Sequence, residues 1–166
     1  CWSHCIDLLH CFGGRASQIS ALAGGIRYKD AVDVSGSFCL ANGATGTILG
    51  TNGSPFELPL YQIVMNFERG TIRFSDLDGP MDVFDKASRY CETHTLIGNH
   101  SRWEQYNSSF EKSLAAYLDS IRHNEPPPVP GIAGLEELQF EVALRRSIEQ
   151  KRPVDVQDEF PLEISG

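Results

Sequence analysis

The sequence predicts an α+β protein: a mainly antiparallel, open sheet of about six or seven strands with helices packed on one of its faces. Short runs of alternating apolar and polar residues fill the middle of the chain, and the short links between them favour antiparallel neighbours. The last third instead carries apolar residues at helical spacing. With 166 residues, of which 41% are hydrophobic, the chain is long enough for one domain with its own core.

Seven β-strands are predicted from side-chain alternation and from the turn residues that separate the runs. They cover residues 16–28, 32–41, 44–50, 60–67, 71–74, 81–85 and 92–97. The dipeptide Asn42-Gly43 lies between the second and third runs, and both residues tolerate the positive φ of a type I′ turn. We therefore expect a β-hairpin at this point.

Three helices are predicted. The first opens the chain and ends at Gly13-Gly14, because glycine adopts the left-handed backbone that stops a helix. The second is predicted to begin at Ser108, since Ser108 and Glu111 have the spacing of a capping box. A proline-rich link then leads to a third helix over about 132–150, followed by a strand-like tail over 153–164.

The third predicted helix has two apolar stripes on nearly opposite sides, at about 100° per residue. One stripe contains Leu135, Leu138 and Val142, and the other contains Phe140, Leu144 and Ile148. One face of a sheet can cover only one stripe. The other stripe therefore needs a second surface, such as a neighbouring helix, a further domain or a partner subunit.

The composition excludes some classes of partner. The chain has 22 acidic and 14 basic residues and a formal net charge of -8, with no cluster of lysine and arginine. Nucleic acid and anionic membrane surfaces are therefore poor candidates. No apolar run approaches the roughly 20 residues that cross a bilayer. The five cysteines lack the spacing of a disulfide scaffold and fit reduced thiols, so we expect a cytoplasmic protein.

A glycine-rich run formed by Gly43, Gly46, Gly50 and Gly53 invites comparison with nucleotide-binding loops. It matches neither the dinucleotide fingerprint that opens a helix nor a phosphate-binding loop. It also lies in a predicted hairpin, where no helix N-terminus meets a pyrophosphate. We interpret these glycines as structural, and we expect the 166 residues alone to bind neither NAD nor NADP.

The opening helix places Cys1, His4 and Cys5 on one face, which suggests a metal site. A fourth ligand has no obvious source, and structural zinc sites usually combine two separated ligand pairs. Small cysteines packing in a core explain the pattern better. Nor is Cys5 a nucleophile activated by His4, because adjacent helical residues point about 100° apart. We therefore expect no metal.

The segment from His4 to Leu9 resembles the His-x-Ile-Asp-Leu segment of the Gfo/Idh/MocA oxidoreductases, the group of glucose-fructose oxidoreductase and inositol dehydrogenase. The likeness extends to about Val156, and further matching segments follow in family order at 13–21, 29–32, 42–46, 68–71 and 134–147. The resemblance implies that residues 1–166 are a single C-terminal substrate and oligomerisation domain.

The same resemblance implies the rest of the enzyme. An upstream Rossmann domain, absent from this chain, would bind NAD or NADP, and the whole protein would oxidise or reduce a sugar, polyol or related hydroxyl compound. The free face of the sheet would pair with a second subunit, giving a homo-oligomer. The chain opens inside a predicted helix and without a methionine, which fits a fragment.

His4 is the residue for which the resemblance implies catalysis. The family uses an Asp-x-x-x-His pair as a proton relay beside hydride transfer, and His4 matches its histidine, whereas the aspartate would precede Cys1 and a lysine would belong to the absent domain. We expect His4 to be the acid/base. Asp7, one turn later, could orient the imidazole through its second nitrogen, or it could be a solvated carboxylate.

An alternative from another class is a non-catalytic binding or association module that keeps the same scaffold. The two interpretations differ in what precedes His4 in the full-length protein. An aspartate four positions before it, together with a lysine farther upstream, favours the enzyme. Other residues at those places favour the association module.

Overall fold

The computed structural model describes residues 2–24, 33–51, 59, 61–76, 78–97 and 101–162. Its elements in chain order are α1 (Trp2–Gly13), β1 (Ala16–Gly24), β2 (Asp33–Leu40), β3 (Thr45–Thr51), β4 (Gln62–Phe67), β5 (Gly70–Ser75), β6 (Met81–Asp85), β7 (Cys91–His94), α2 (Arg102–His123), α3 (Gly131–Gln150), β8 (Val154–Asp155) and α4 (Val156–Glu159). The α+β class is confirmed, and the paired strands of the described residues are all antiparallel.

The described strands form two sheets of four, where the sequence predicted one sheet of about six or seven strands. The first sheet has the order β3-β2-β1-β8 and the second has the order β4-β5-β6-β7. The chain divides accordingly into two compact units, Cys1–Pro55 with Val129–Gly166, and Phe56–Pro128. Alternation along a strand reveals which of its faces is buried but not which sheet it joins, so the sequence did not separate the two.

The core of the first unit lies between the inner face of its sheet and α3. Ile19 on β1 pairs with Phe38 on β2, and both are buried. The ring of Phe38 meets the ring of Phe140 on α3 edge to face, with 6.0 Å between centroids. Ser20 and Ser37, the next pair in register, are exposed on the opposite face. The prediction of helices on one face is thus confirmed for this sheet.

The two apolar stripes of α3 have different surroundings, as their opposite placement predicts. Phe140 is 0% exposed and Leu144 is 7% exposed, and both belong to the core of the first unit. On the other stripe, Leu135, Leu138 and Val142 are 51%, 52% and 42% exposed. The sheet covers one stripe only.

The hairpin at Asn42-Gly43 is confirmed, with a different turn from the one predicted. The Leu40 N–H donates to the Ala44 carbonyl at 2.8 Å, which leaves three residues in the loop. Of these only Gly43 has a positive φ, of 88°, and the Asn42 side chain accepts the Ala44 N–H at 3.0 Å. A type I′ turn needs positive φ at two residues, so this is the three-residue loop with glycine in the left-handed position.

In the second unit, α2 begins earlier than the sequence predicted. The Ser101 hydroxyl accepts the Glu104 N–H at 3.2 Å, and the Glu104 carboxylate accepts the Ser101 N–H at 2.9 Å. This reciprocal pair is a capping box, and Arg102 is the first helical residue. Ser108 and Glu111, the predicted capping box, lie inside the helix instead.

The seven predicted strands correspond to β1–β7, although residues 25–28, 32 and 60, which the prediction included, lie outside the described residues. The family-like segment 29–32 lies outside them too. The tail is not one continuous strand. It forms the short β8 and then α4, whose first turn is capped by the Asp155 carboxylate accepting the Asp158 N–H at 3.2 Å. Within the described ranges, no helix is long and apolar enough to cross a membrane.

Candidate active site

Helix α1, which carries the predicted site residues, is fixed at both its middle and its end. Ile6 is 0% exposed and lies in the core of the first unit. At the C-terminus, Gly14 has a φ of 84° and donates its N–H to the His10 carbonyl at 2.9 Å. The Asn42 side chain donates to the Gly13 carbonyl at 3.0 Å, which ties the helix to the β2–β3 hairpin. The glycine pair therefore ends the helix as predicted.

His4 and Asp7 lie one turn apart on α1, and both are exposed. Within the described part of the chain, neither side chain makes a hydrogen bond or an ion pair with another residue. The helix therefore brings the two residues to one exposed flank without joining them. An exposed imidazole is accessible to a ligand that approaches α1 from solvent.

Glu137 on α3 is a third member of this neighbourhood, which sequence reasoning missed. It is partly buried, and its pKa is raised by burial first and then by the negative charges of Glu141 and Asp7. The positive charge of His4 acts in the opposite direction and lowers the pKa of Glu137. The carboxyl group therefore lies in the electric field of both α1 residues. No sequence spacing signals this, because the residues belong to opposite ends of the chain.

His10 marks the contact between α1 and α3. Its ring meets that of Phe140 edge to face at 5.7 Å, and both ring nitrogens are buried without a hydrogen-bond partner among the described residues. Burial lowers the pKa of His10; the charges of Glu136 and Asp7 oppose that effect, and Arg15 adds to it. Arg15 and Glu136 form an ion pair beside it. The histidine therefore favours its neutral form in the folded protein.

Cys5 on α1 does not show the chemistry of a ligand or a nucleophile. Burial raises the pKa of the Cys5 thiol, and a protonated thiol is neither a good nucleophile nor a good metal ligand. Cys1 lies outside the described residues. In the described ranges, no three histidine, cysteine, aspartate or glutamate side chains lie close enough together to hold a metal ion.

Two members of the glycine-rich run, Gly43 and Gly46, have structural roles, and Gly53 lies outside the described residues. Gly43 supplies the left-handed turn, and Gly46 lies against the ring of Phe38, where a β-carbon would overlap it. The Rossmann dinucleotide site is a β-α-β unit whose helix N-terminus faces the phosphates. The described strands are paired antiparallel instead. Among the described residues, these strands therefore do not form the β-α-β unit of the dinucleotide fingerprint.

Two surface cavities of the first unit lie away from these residues. One, of about 290 Å³, follows the exposed stripe of α3 and is lined by Leu135, Leu138, Gln139, Val142, Phe160, Pro161 and Leu162. The other, of about 540 Å³, lies on the exposed sheet face and is lined by Gln18, Ser20, Ser37, Phe38, Cys39, Thr45, Gly46 and Thr47. Neither is lined by His4 or Asp7, which face open solvent.

The chain has the fold of about half of an NAD-dependent oxidoreductase of the Gfo/Idh/MocA type. The resemblance seen in the sequence is thereby confirmed at the level of fold.

Solved structures of three oxidoreductases illustrate the match. An oxidoreductase from Agrobacterium radiobacter, in complex with NAD+, L-tartaric acid and magnesium, superimposes with a TM-score of 0.78 at 18% identity, over 95% of this chain and 48% of that chain. The WlbA dehydrogenase from Bordetella pertussis, in complex with NADH and UDP-GlcNAcA, superimposes with a TM-score of 0.65 at 20% identity, over 97% of this chain and 46% of that chain. The aldose-aldose oxidoreductase from Caulobacter crescentus, complexed with glycerol, superimposes with a TM-score of 0.68 at 13% identity, over 92% of this chain and 45% of that chain.

The chain therefore spans about half the length of the solved structures that it matches. No protein-family model and no curated protein sequence matches it.

Proposed function

We propose that residues 1–166 form the substrate and oligomerisation domain of a cytoplasmic NAD(P)-dependent oxidoreductase that acts on a sugar, polyol or related hydroxyl compound. The observation that carries the proposal is the match of nearly the whole chain to about half of such enzymes. A Rossmann domain outside these residues holds NAD or NADP, and the 166 residues alone bind neither. The names of the matched proteins support the substrate class, since they include sugar oxidoreductases.

In this proposal His4 is the acid/base of the reaction. A hydroxyl substrate gives up a proton when it is oxidised and takes one up in the reverse direction, and an imidazole exchanges protons near neutral pH. His4 is exposed and has no hydrogen-bond or ion-pair partner in the described residues, so a ring nitrogen is available to the substrate oxygen. Asp7 supports it from the next turn of α1.

The experiment is done on the full-length protein that contains this chain. We expect His4→Gln to lower kcat/KM for its hydroxyl substrate by about 100-fold to 10,000-fold, the range of general acid–base catalysis. NAD(P) reduction is followed in a panel of sugars and polyols. The matched control is His123→Gln, which replaces an exposed histidine on α2 and leaves the rate unchanged. Full activity of the His4 variant contradicts the role of this residue.

The alternative is an association module on the same scaffold, without catalysis. The exposed face of the first sheet favours it as much as it favours the enzyme, because either protein can pair through that face. Failure of the full-length protein to transfer hydride to any hydroxyl compound, together with an intact assembly, supports this alternative.

A further inference from the structure

The exposed stripe of α3 forms one wall of an apolar groove. The cavity there has a volume of about 290 Å³, and two segments line it, α3 and the residues that follow α4. From α3 the lining includes Leu135, Leu138 and Val142, all of them exposed. Large apolar side chains in water lack the stabilisation that burial gives, so this stripe favours a covering group of apolar chemistry.

The segment that follows α4 is held against α3 at Phe160. Its carbonyl accepts a hydrogen bond from the Gln139 side chain, and its N–H donates to the Val156 carbonyl at 3.1 Å. The guanidinium of Arg146 lies over its ring, 5.0 Å from the centroid. Gln139 is 6% exposed, so the amide that holds the carbonyl is itself buried. The chain therefore leaves α4 along the groove.

From Phe160 onwards, large apolar side chains recur at every second position. Phe160 and Leu162 are half-buried and line the groove, whereas Pro161 between them is exposed. Ile164 is the next residue in this alternation, and the polar Glu163 precedes it. In an extended chain, residues two apart point to the same side. An extended continuation from Leu162 therefore turns Ile164 towards the groove and Glu163 away from it.

We propose that the groove on α3 is filled by this chain's own tail, with Ile164 packed on the exposed stripe. Residues 163–166 lie outside the described residues, and Leu162, which precedes them, already lines the groove. Two residues of extended chain span about 7 Å, whereas the stripe from Leu135 to Val142 runs about 10 Å along the helix, so Ile164 is within reach of it. A tail that starts in the groove also avoids the entropic cost of recruiting a second molecule.

Methyl-selective nuclear magnetic resonance of the full-length protein that contains this chain tests the proposal. Ile164→Ser removes the apolar side chain, and the signal that disappears identifies the Ile164 methyl group. We expect this methyl group to give nuclear Overhauser cross-peaks to Leu138 or Val142, and we expect Ile164→Ser to shift the methyl signals of both. Ser165→Ala, at the next position of the same tail, is the control and leaves those signals in place.

Dilution of labelled protein into an excess of deuterated protein separates the chain's own tail from that of a second copy. Ile164 cross-peaks that survive the dilution support the proposal, and cross-peaks that vanish overturn it in favour of a second copy. Cross-peaks of Leu138 to a residue outside 1–166, in place of Ile164, assign the groove to a further domain and also overturn it. Unchanged Leu138 and Val142 signals in Ile164→Ser overturn it outright. No outcome depends on catalysis, so the proposal stands or fails independently of the role proposed for His4.

Discussion

At the scale of single residues, His10 couples the stability of the first unit to pH. Both of its ring nitrogens are buried without a hydrogen-bond partner among the residues that the structure describes, and burial holds its pKa below the ordinary value of 6.5. The unfolded chain therefore binds this proton more readily than the folded one. Unfolding takes up a proton below about pH 6.5, so this contribution to stability is present at neutral pH and is lost on acidification.

His10→Phe tests this account. Phenylalanine fills a similar space and removes two unsatisfied polar atoms, so we expect the variant to be within about 1 kcal/mol of the wild type at pH 7.5, or more stable. On lowering the pH to 5, the wild type loses more stability than the variant does. Denaturant unfolding at both pH values measures the difference. His10→Leu is a second variant that avoids overpacking, and equal pH dependence in all three proteins contradicts the role of His10.

Ser147 makes a buried link between α3 and the first sheet. It is 1% exposed, its hydroxyl accepts the Ala21 N–H at 2.9 Å, and it donates to the Arg152 carbonyl at 2.7 Å. Ser147→Ala leaves a buried donor and an acceptor unpaired, which costs about 1–3 kcal/mol. Chemical denaturation measures the loss, with Ser113→Ala on the exposed surface of α2 as the control. Equal stability of the two variants counts against this link.

At the scale of elements, the sequence predicted what depends on local periodicity. Alternating apolar and polar residues, with the turn residues between them, located β1–β7, and Gly13-Gly14 ended α1 where the left-handed backbone occurs. The start of α2 was predicted too late because Ser101 with Glu104 and Ser108 with Glu111 share one spacing. Spacing alone does not reveal which serine precedes the first helical turn, since either one satisfies the motif.

In the candidate site, too, local pattern predicts some features and leaves others unpredicted. The sequence predicted that His4 lies on the opening helix, and the family resemblance singled it out. The proximity of Glu137 depends on how α1 docks on α3, elements that are separated by most of the chain. Packing between distant elements leaves no periodic trace in one sequence, so the sequence does not predict it.

The two stripes of α3 predict unequal effects of truncation. Phe140 is 0% exposed and packs on Phe38, so Phe140→Ala costs about 3–5 kcal/mol through the cavity that it leaves. Leu138 is 52% exposed, so Leu138→Ala costs less than about 1 kcal/mol in the same chain. Paired unfolding curves measure both, and similar losses contradict the assignment of one stripe to the core.

At the scale of the whole molecule, the exposed face of the first sheet is the candidate surface for a second subunit. Ser20, Ser37 and Thr47 lie in register across β1, β2 and β3, and all three are exposed. Their side chains are small, so another sheet can approach closely at these three positions. Exposed Leu22 and Leu49, at 70% and 77%, supply apolar area on the same face. These features favour face-to-face pairing about a two-fold axis, in which each patch meets its own copy.

Ser37→Arg tests that association, because Ser37 lies on the central strand β2 and its substitution brings a charge from each copy into the paired face. Like charges that lose their water on association oppose it, so we expect the wild type to sediment as a dimer at high concentration and the variant to sediment as a monomer. Ser113→Arg adds the same charge on α2 and is the control, while circular dichroism verifies that both variants fold. A wild type that remains monomeric at high concentration, or a variant that remains dimeric, rules out pairing through this face. A dimer broken by Ser37→Arg and kept by Ser113→Arg places the interface on β1–β3, where the polar residues of the strands alternate onto the face opposite α3 and are exposed.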